Sequence, residues 1–234
     1  MNFFERFTQY APLFLEATWL TLSLTAVALV MAMIMGSGIA AMAMSPVRPL
    51  RWFATAYIGL VRGTPLITQI FIIYFGLAYI VNLPAFWAGS IALGFHNSAY
   101  IAEIIRSGFQ AVPKGLTEAS RSLGLSKMKT LKRVQAPLAL RTTLPVLGNQ
   151  YIIAVKDSSL VAFIGMSELF RTSQNMAAST YQPLTAYTIV AIYYLAIVLV
   201  LTVLVNALEH RLNRHRRATK DDEEPAVTGA KEDQ

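Results

Sequence analysis

Residues 112–145 read VPKGLTEASRSLGLSKMKTLKRVQAPLALRTTLP, a basic insert in a chain that is otherwise mostly apolar. Lys114, Arg121, Lys127, Lys129, Lys132, Arg133 and Arg141 stand against a single acid, Glu118. A short amphipathic helix is predicted over Leu116–Leu123. Gly124 follows where a helix C-terminus favours a residue free to take φ > 0. Ser126 is placed to cap a second helix that runs toward Pro137. Upstream, Gly63–Ala102 carries no formal charge for 40 residues, and downstream Ala186–Leu208 is an unbroken apolar block. The insert is therefore a folded polar excursion between regions apolar enough for a bilayer.

Composition agrees. The 234 residues are 55% hydrophobic and 14% charged, well below the roughly 25% charged of soluble proteins. The net charge of +7 invites a nucleic-acid reading. However, the cations occupy the gaps between apolar blocks, as in the cytoplasmic loops of membrane proteins, so no nucleic-acid partner is expected. The chain has no cysteine, which excludes disulfides, thiol chemistry and thiolate metal sites.

Working outward gives five predicted transmembrane helices in an all-α integral membrane fold. Ala17–Met44 is the first, 28 uncharged residues against the about 20 that span a bilayer. Gly36 and Gly38 in its later half suit close helix packing. The uncharged run after Arg62-Gly63-Thr64-Pro65 holds a second helix over about 65–81 and a third over about 86–107, with Asn82-Leu83-Pro84 as the turn. A fourth span, Thr142–Val155, is weak, being broken by Pro145 and ended by Lys156-Asp157. Interrupted spans of this kind mark substrate paths in transporters. Glu168–Pro183 reads as a loop with one short helix, Ala186–Leu208 as the fifth span, and 211–234 as a disordered cytoplasmic tail. The first twelve residues carry no signal-peptide pattern, and the transmembrane domain is read as 1–210.

Counting Lys and Arg by side orients the chain. The segments 45–51, 106–141 and 209–220 hold 15 of the 20 and fall on one side. The positive-inside rule then puts the N-terminus outside and the C-terminus, with the basic insert, in the cytoplasm. Five spans rarely enclose a pore alone, so a second membrane subunit is expected.

The insert has no histidine, no paired carboxylates and no nucleophile–base pair, so it lacks the groups for catalysis. The chain also lacks G-x-x-x-x-G-K-[ST], so it has no phosphate-cradling loop of its own. What remains is a rigid cytoplasmic helix able to transmit a partner's movement.

Glu118-Ala119-Ser120, three residues, Gly124, nine residues, then Val134-Gln135-Ala136-Pro137 resembles the EAA loop of bacterial ABC-importer permeases, EAA-x3-G-x9-I-x-L-P. Ser120, Val134 and Ala136 depart from that pattern. Arg62–Leu66, Ala99–Arg106, Val112–Gly115, Leu144-Pro145 and Lys156–Leu160 are similar to the polar amino-acid branch, the histidine, glutamine and arginine importers. Lys114-Gly115-Leu116 stands where that branch has KGQ. The resemblance covers about residues 10–210. It implies a permease subunit of the bacterial cytoplasmic membrane, not itself an enzyme. Glu118, Ala119, Ser120, Leu123 and Gly124 would form a coupling helix, within a loop of about 112–137, seated in an ATPase groove. ATP and magnesium would be held by that ATPase pair, with no cofactor on this chain. A second permease, identical or related, and an extracytoplasmic amino-acid-binding protein would complete the assembly.

Four interior residues are candidates for the substrate pathway. Glu103 either meets a substrate ammonium or pairs with Arg106 at i, i+3. Asp157 either faces the pathway or is neutralised by Lys156. His96 and Asn97 either line the path or form a satisfied interior pair. Arg62 is read as snorkelling at the start of the second helix, and Lys127–Arg133 as topology signal and lipid-headgroup contact. The rival function is a self-contained channel or secondary carrier, which needs no ATPase subunit. A membrane-embedded enzyme would need a catalytic constellation, and the sequence offers none.

Overall fold

The structure, a computed structural model, describes residues 2–81 and 83–221. Among them all regular structure is helical. The helices are α1 (Phe3–Ala43), α2 (Arg48–Gly63), α3 (Leu66–Ala78), α4 (Ala85–Gln110), α5 (Lys114–Ser122), α6 (Lys127–Thr130), α7 (Ala136–Asp157), α8 (Leu169–Thr180) and α9 (Pro183–Asp221). A π-helical turn, Leu131–Gln135, joins α6 to α7, and a 3-10 segment, Ser158–Ile164, follows α7.

α4 is the axis of the molecule. Its small residues, Ala88, Gly89, Ser90, Ala92 and Gly94 among them, are buried, and they let neighbouring helices come close. At the crossing with α1, a Cβ on Gly36 would lie 2.7 Å from the Ser98 carbonyl oxygen. Gly36 is therefore a packing glycine, as expected. Gly38 meets nothing within 4 Å and is not one. Leu24 and Ala28 of α1 pack beside Ala88–Leu93, and Ile39 and Ala40 beside Ala102, so α1 and α4 run parallel. α7 returns antiparallel, with Thr143 against Gly108 and Gln150 against Asn97. Phe14 and Ala17 of α1 pack on Ala186–Val190 of α9. The ends of α1 and α4 that lead into basic segments thus lie together.

Several boundaries differ from expectation. The first helix starts at Phe3, passes through Pro12 and has 41 residues. The predicted helix over 65–81 shrinks to the 13 residues of α3, about 20 Å long against a hydrocarbon core of about 30 Å. α2 stands at 105° to it. Pro65 causes the elbow, because the residue before a proline is driven from the α region, and Thr64 sits at φ −118, ψ 145. Of the predicted turn at 82–84, Asn82 lies outside the described residues, and Pro84 caps α4.

The break expected at Pro145 is absent, since α7 runs unbroken through it. Its buried face of Ala139, Thr143, Leu147 and Gln150 holds the helix together across the one lost hydrogen bond. The interruption comes instead at Asp157, where the 3-10 segment begins. The helix capped by Ser126, predicted to run toward Pro137, continues through it into α7. The π turn before it widens the backbone where the proline ring would meet the carbonyl four residues back. The loop Glu168–Pro183 is mostly α8. α9 continues to Asp221, so the start of the tail expected to be disordered is helical, and 222–234 lies outside the described residues.

By length and apolar composition α1 and Pro183–Arg211 of α9 are fit to cross a membrane, and the bent α2–α3 pair makes a third if it counts as one span. α4 and α7, with 26 and 22 residues, are long enough to span at 1.5 Å per residue. They carry more polar residues because protein rather than lipid covers them.

Candidate functional site

The insert folds as a platform with one exposed helix. α5 ends in a complete Schellman motif: Leu125 N–H donates to Ser120 O at 3.2 Å, and Gly124 N–H to Arg121 O at 3.0 Å. Gly124 adopts φ +81, the left-handed conformation that glycine takes without steric penalty. Ser126 caps α6, its hydroxyl accepting from Lys129 N–H at 3.4 Å. Both caps are where the spacing placed them.

Ser120 shows which side of α5 is seated. It is buried, 3.4 Å from the Thr130 hydroxyl, and Gln135 Nε2 donates to Thr117 Oγ1 at 3.1 Å. α5 thus rests on α6 and the π turn that leads into α7, and only Ala111–Pro113 separate it from α4. A small hydroxyl residue where the EAA pattern has alanine is explained by this contact. On the outer side Glu118 and Ala119 are exposed. Leu116 is 46% exposed and Leu123 84%. Leu116, Ala119 and Leu123, at i, i+3 and i+7, share one face. An apolar stripe with one carboxylate, on a helix braced from behind, is suited to dock in a groove of another protein.

The interior candidates separate. Glu103 is bound to Arg106 on its own helix, with Arg106 Nε donating at 3.0 Å. The pair is about one-third exposed on each side, and such i, i+3 pairs contribute about 0.3–0.5 kcal/mol. The Arg106 alternative is the one this geometry realises. His96 Nδ1 lies 3.0 Å from Gln69 Oε1. Asn97 Nδ2 donates to Leu93 O at 2.8 Å, and its Oδ1 accepts from Gln150 Nε2 at 2.9 Å. Both residues are buried, with their hydrogen-bonding capacity directed at helices of the same chain.

Asp157 stands apart. It is half-buried at the junction of α7 and the 3-10 segment. Among the described residues no ion pair joins it to Lys156, whose side chain is exposed. Arg62 lies at the C-terminal end of α2 rather than at the start of α3, its guanidinium 5.3 Å from the centroid of the Tyr100 ring.

The sequence reading passed over three polar residues that organise the interior. Gln69 and Gln150 bridge helices. Glu168 is fully buried and caps α8: its carboxylate accepts from Phe170 N–H at 2.9 Å, Arg171 N–H at 2.8 Å and Tyr194 O–H at 3.0 Å. An acid directly before a short polar helix is a capping signal that could have flagged Glu168. No local signal marks the glutamines, whose partners are distant in sequence.

The described residues thus form a helical bundle with one short helix, α5, held from behind and exposed outward. Residues 28–214 match the family described as binding-protein-dependent transport system inner membrane component, and the chain belongs to it. It is 34% identical over 212 residues to the probable glutamine ABC transporter permease protein GlnM of Bacillus subtilis (strain 168), covering 90% of this chain and 96% of that one. It is 41% identical over 162 residues to the glutamine transport system permease protein GlnP of Escherichia coli (strain K12), covering 68% and 74%. Similarity to the L-cystine transport system permease protein TcyB of Bacillus subtilis (strain 168) is 38% over 206 residues, 87% of this chain and 88% of that one. Among solved structures, a chain from the crystal structure of an amino acid ABC transporter with histidines superposes with a TM-score of 0.85 at 40% identity, over 90% of this chain and 99% of that chain. The family places the chain in a membrane, as a transport subunit whose ATP hydrolysis is done by a separate ATPase and whose system includes a binding protein.

Proposed function

We propose that this chain forms the translocation pathway of an ATP-driven importer for a polar amino acid in the bacterial plasma membrane. The observation that carries the reading is α5: an apolar stripe left exposed on a helix that is fixed at its C-cap and braced on α6 and the π turn. The amino-acid permeases to which the chain is similar support the substrate class.

On this reading five passages, α1, the α2–α3 pair, α4, α7 and α9, alternate in direction, with the N-terminus outside. The basic segments around Arg48 and Arg51, 106–141 and 209–220 then fall together in the cytoplasm, as the positive-inside rule requires. Two ATPase subunits, holding ATP and magnesium, receive α5 from this chain and from a second permease, identical or related. Their closure displaces α5. Because α4 leads into α5, and α5 rests on the π turn that leads into α7, the displacement enters both central helices. Asp157 then serves as the pathway acid, a carboxylate free to meet a substrate ammonium. Glu103, held by Arg106, and His96 and Asn97, turned into the bundle, serve as the wall behind it.

The test is copurification followed by reconstitution. The importer reading requires a separate ATPase subunit to copurify through α5 and uptake to depend on ATP and on the binding protein. Uptake by this chain alone, driven by a substrate or ion gradient, would instead establish the channel or secondary-carrier alternative.

A further inference from the structure

The α2–α3 elbow is held by one side chain that faces both ways. Gln69, on the first turn of α3, turns back over the bend. Its Nε2 donates to Val61 O at 2.7 Å, to Thr64 O at 3.2 Å and to Thr64 Oγ1 at 2.7 Å. These contacts satisfy carbonyls that a helix end leaves without intrahelical partners. Two carbonyl acceptors on the α2 side fix the amide orientation, so Oε1 is the atom that meets His96. An amide oxygen can only accept, so His96 Nδ1 carries the proton across the 3.0 Å contact. Gln69 is 6% exposed and His96 8%.

Two flanking contacts bind the same corner to α4. Tyr57 O–H lies 2.6 Å from Ser98 Oγ and 3.3 Å from Phe95 O, and Arg62 lies over Tyr100. Tyr57, Arg62 and Gln69 thus all engage the one stretch of α4 between Phe95 and Tyr100. Three residues after its end, α4 becomes the docking helix.

We infer that Gln69 and His96 are positioning residues that lock the α2–α3 elbow to α4, so that displacement of α5 swings α3 instead of being absorbed as bending at Pro65. The inference rests on the importer reading and adds the joint through which that reading would work. Without the latch, α4 moves while α3 stays. ATP is then hydrolysed with little substrate carried. A bare Thr-Pro hinge would permit that slip, because among the described residues no backbone hydrogen bond ties α2 to α3 across Thr64-Pro65.

The test uses the assembled transporter in proteoliposomes with its binding protein and measures substrate carried per ATP hydrolysed. His96→Leu, assembled in normal amount, is expected to lower that ratio about fivefold or more, since it leaves a buried acceptor without a donor. His96→Asn, which keeps a nitrogen donor near the Nδ1 position, is expected to restore most of it. Gln69→Leu should match His96→Leu, and the double variant should be no worse than either, as for two halves of one contact. A wild-type ratio in His96→Leu, or His96→Asn as defective as His96→Leu, would overturn the latch. Should His96→Leu fail to assemble, Gln69→Leu carries the test, and a wild-type ratio there overturns the latch equally. ATP-independent uptake by the unaltered protein would overturn the importer reading and the latch with it. ATP-coupled uptake that is indifferent to these variants overturns the latch alone.

Discussion

At the scale of the residue, Gly124 and Asp157 have roles that single substitutions separate. Gly124 takes φ +81, and a Cβ there would meet nothing within 4 Å. Gly124→Val therefore tests backbone conformation without added crowding, at a strain of about 1–2 kcal/mol. The expected outcome is a chain that inserts normally but binds its ATPase poorly and loses ATP-dependent uptake. Normal uptake would remove the C-cap from the coupling account. Asp157→Asn should impair uptake while leaving ATPase copurification intact, because Asp157 lies at the far end of α7 from the α5 platform. Unchanged uptake kinetics would take Asp157 out of the pathway.

At the scale of the element, packing distances and caps decide what a substitution does. At the α1–α4 crossing Gly36 has the Ser98 carbonyl 2.7 Å from a built Cβ, whereas Gly38 has open space. Gly36→Ala forces two backbones apart, and such overpacking typically costs about 1–3 kcal/mol. Gly38→Ala should leave thermal stability unchanged or slightly raised, since alanine is the better helix former. A thermal shift assay in detergent compares the two, and equal melting temperatures would contradict the packing. For α8, Glu168→Ala strands two backbone donors and the Tyr194 hydroxyl in a buried setting. Each such loss costs about 1–3 kcal/mol, so the segment 166–182 should become sensitive to limited proteolysis. A protease pattern identical to wild type would show that α8 is held by its apolar contacts alone.

At the scale of the whole molecule, the arrangement makes a topology claim that this chain is well suited to test. It contains no cysteine, so single cysteines can be introduced without first removing others. Tyr79, 93% exposed beyond α3, and Leu123, on the docking helix, should react with a membrane-impermeant thiol reagent from opposite sides. Labelling of both from the same side would refute the five-passage arrangement.

Read by itself, the sequence determined the membrane class, the clustering of the cations and the short helix α5, and each for a local reason. Long uncharged runs, one-sided cations, a glycine after an amphipathic turn and a serine before a helix are all legible within a few residues. The termination of the platform helix at Gly124 and the cap at Ser126 belong to this group. Only the tertiary structure decided the rest. It showed α3 to be too short to span alone and joined to α2 at an elbow, because bending depends on what receives the freed carbonyls of α2. It carried α7 through Pro145, because a packed face can hold a helix that a local rule would break. It paired Glu103 with Arg106 and left Asp157 without Lys156, because a charge's partner depends on which way neighbouring side chains face. Gln69 and Gln150 became visible only with the fold. Their partners lie up to 53 residues away, and hydrogen bonds at such separations leave no periodic mark in the chain.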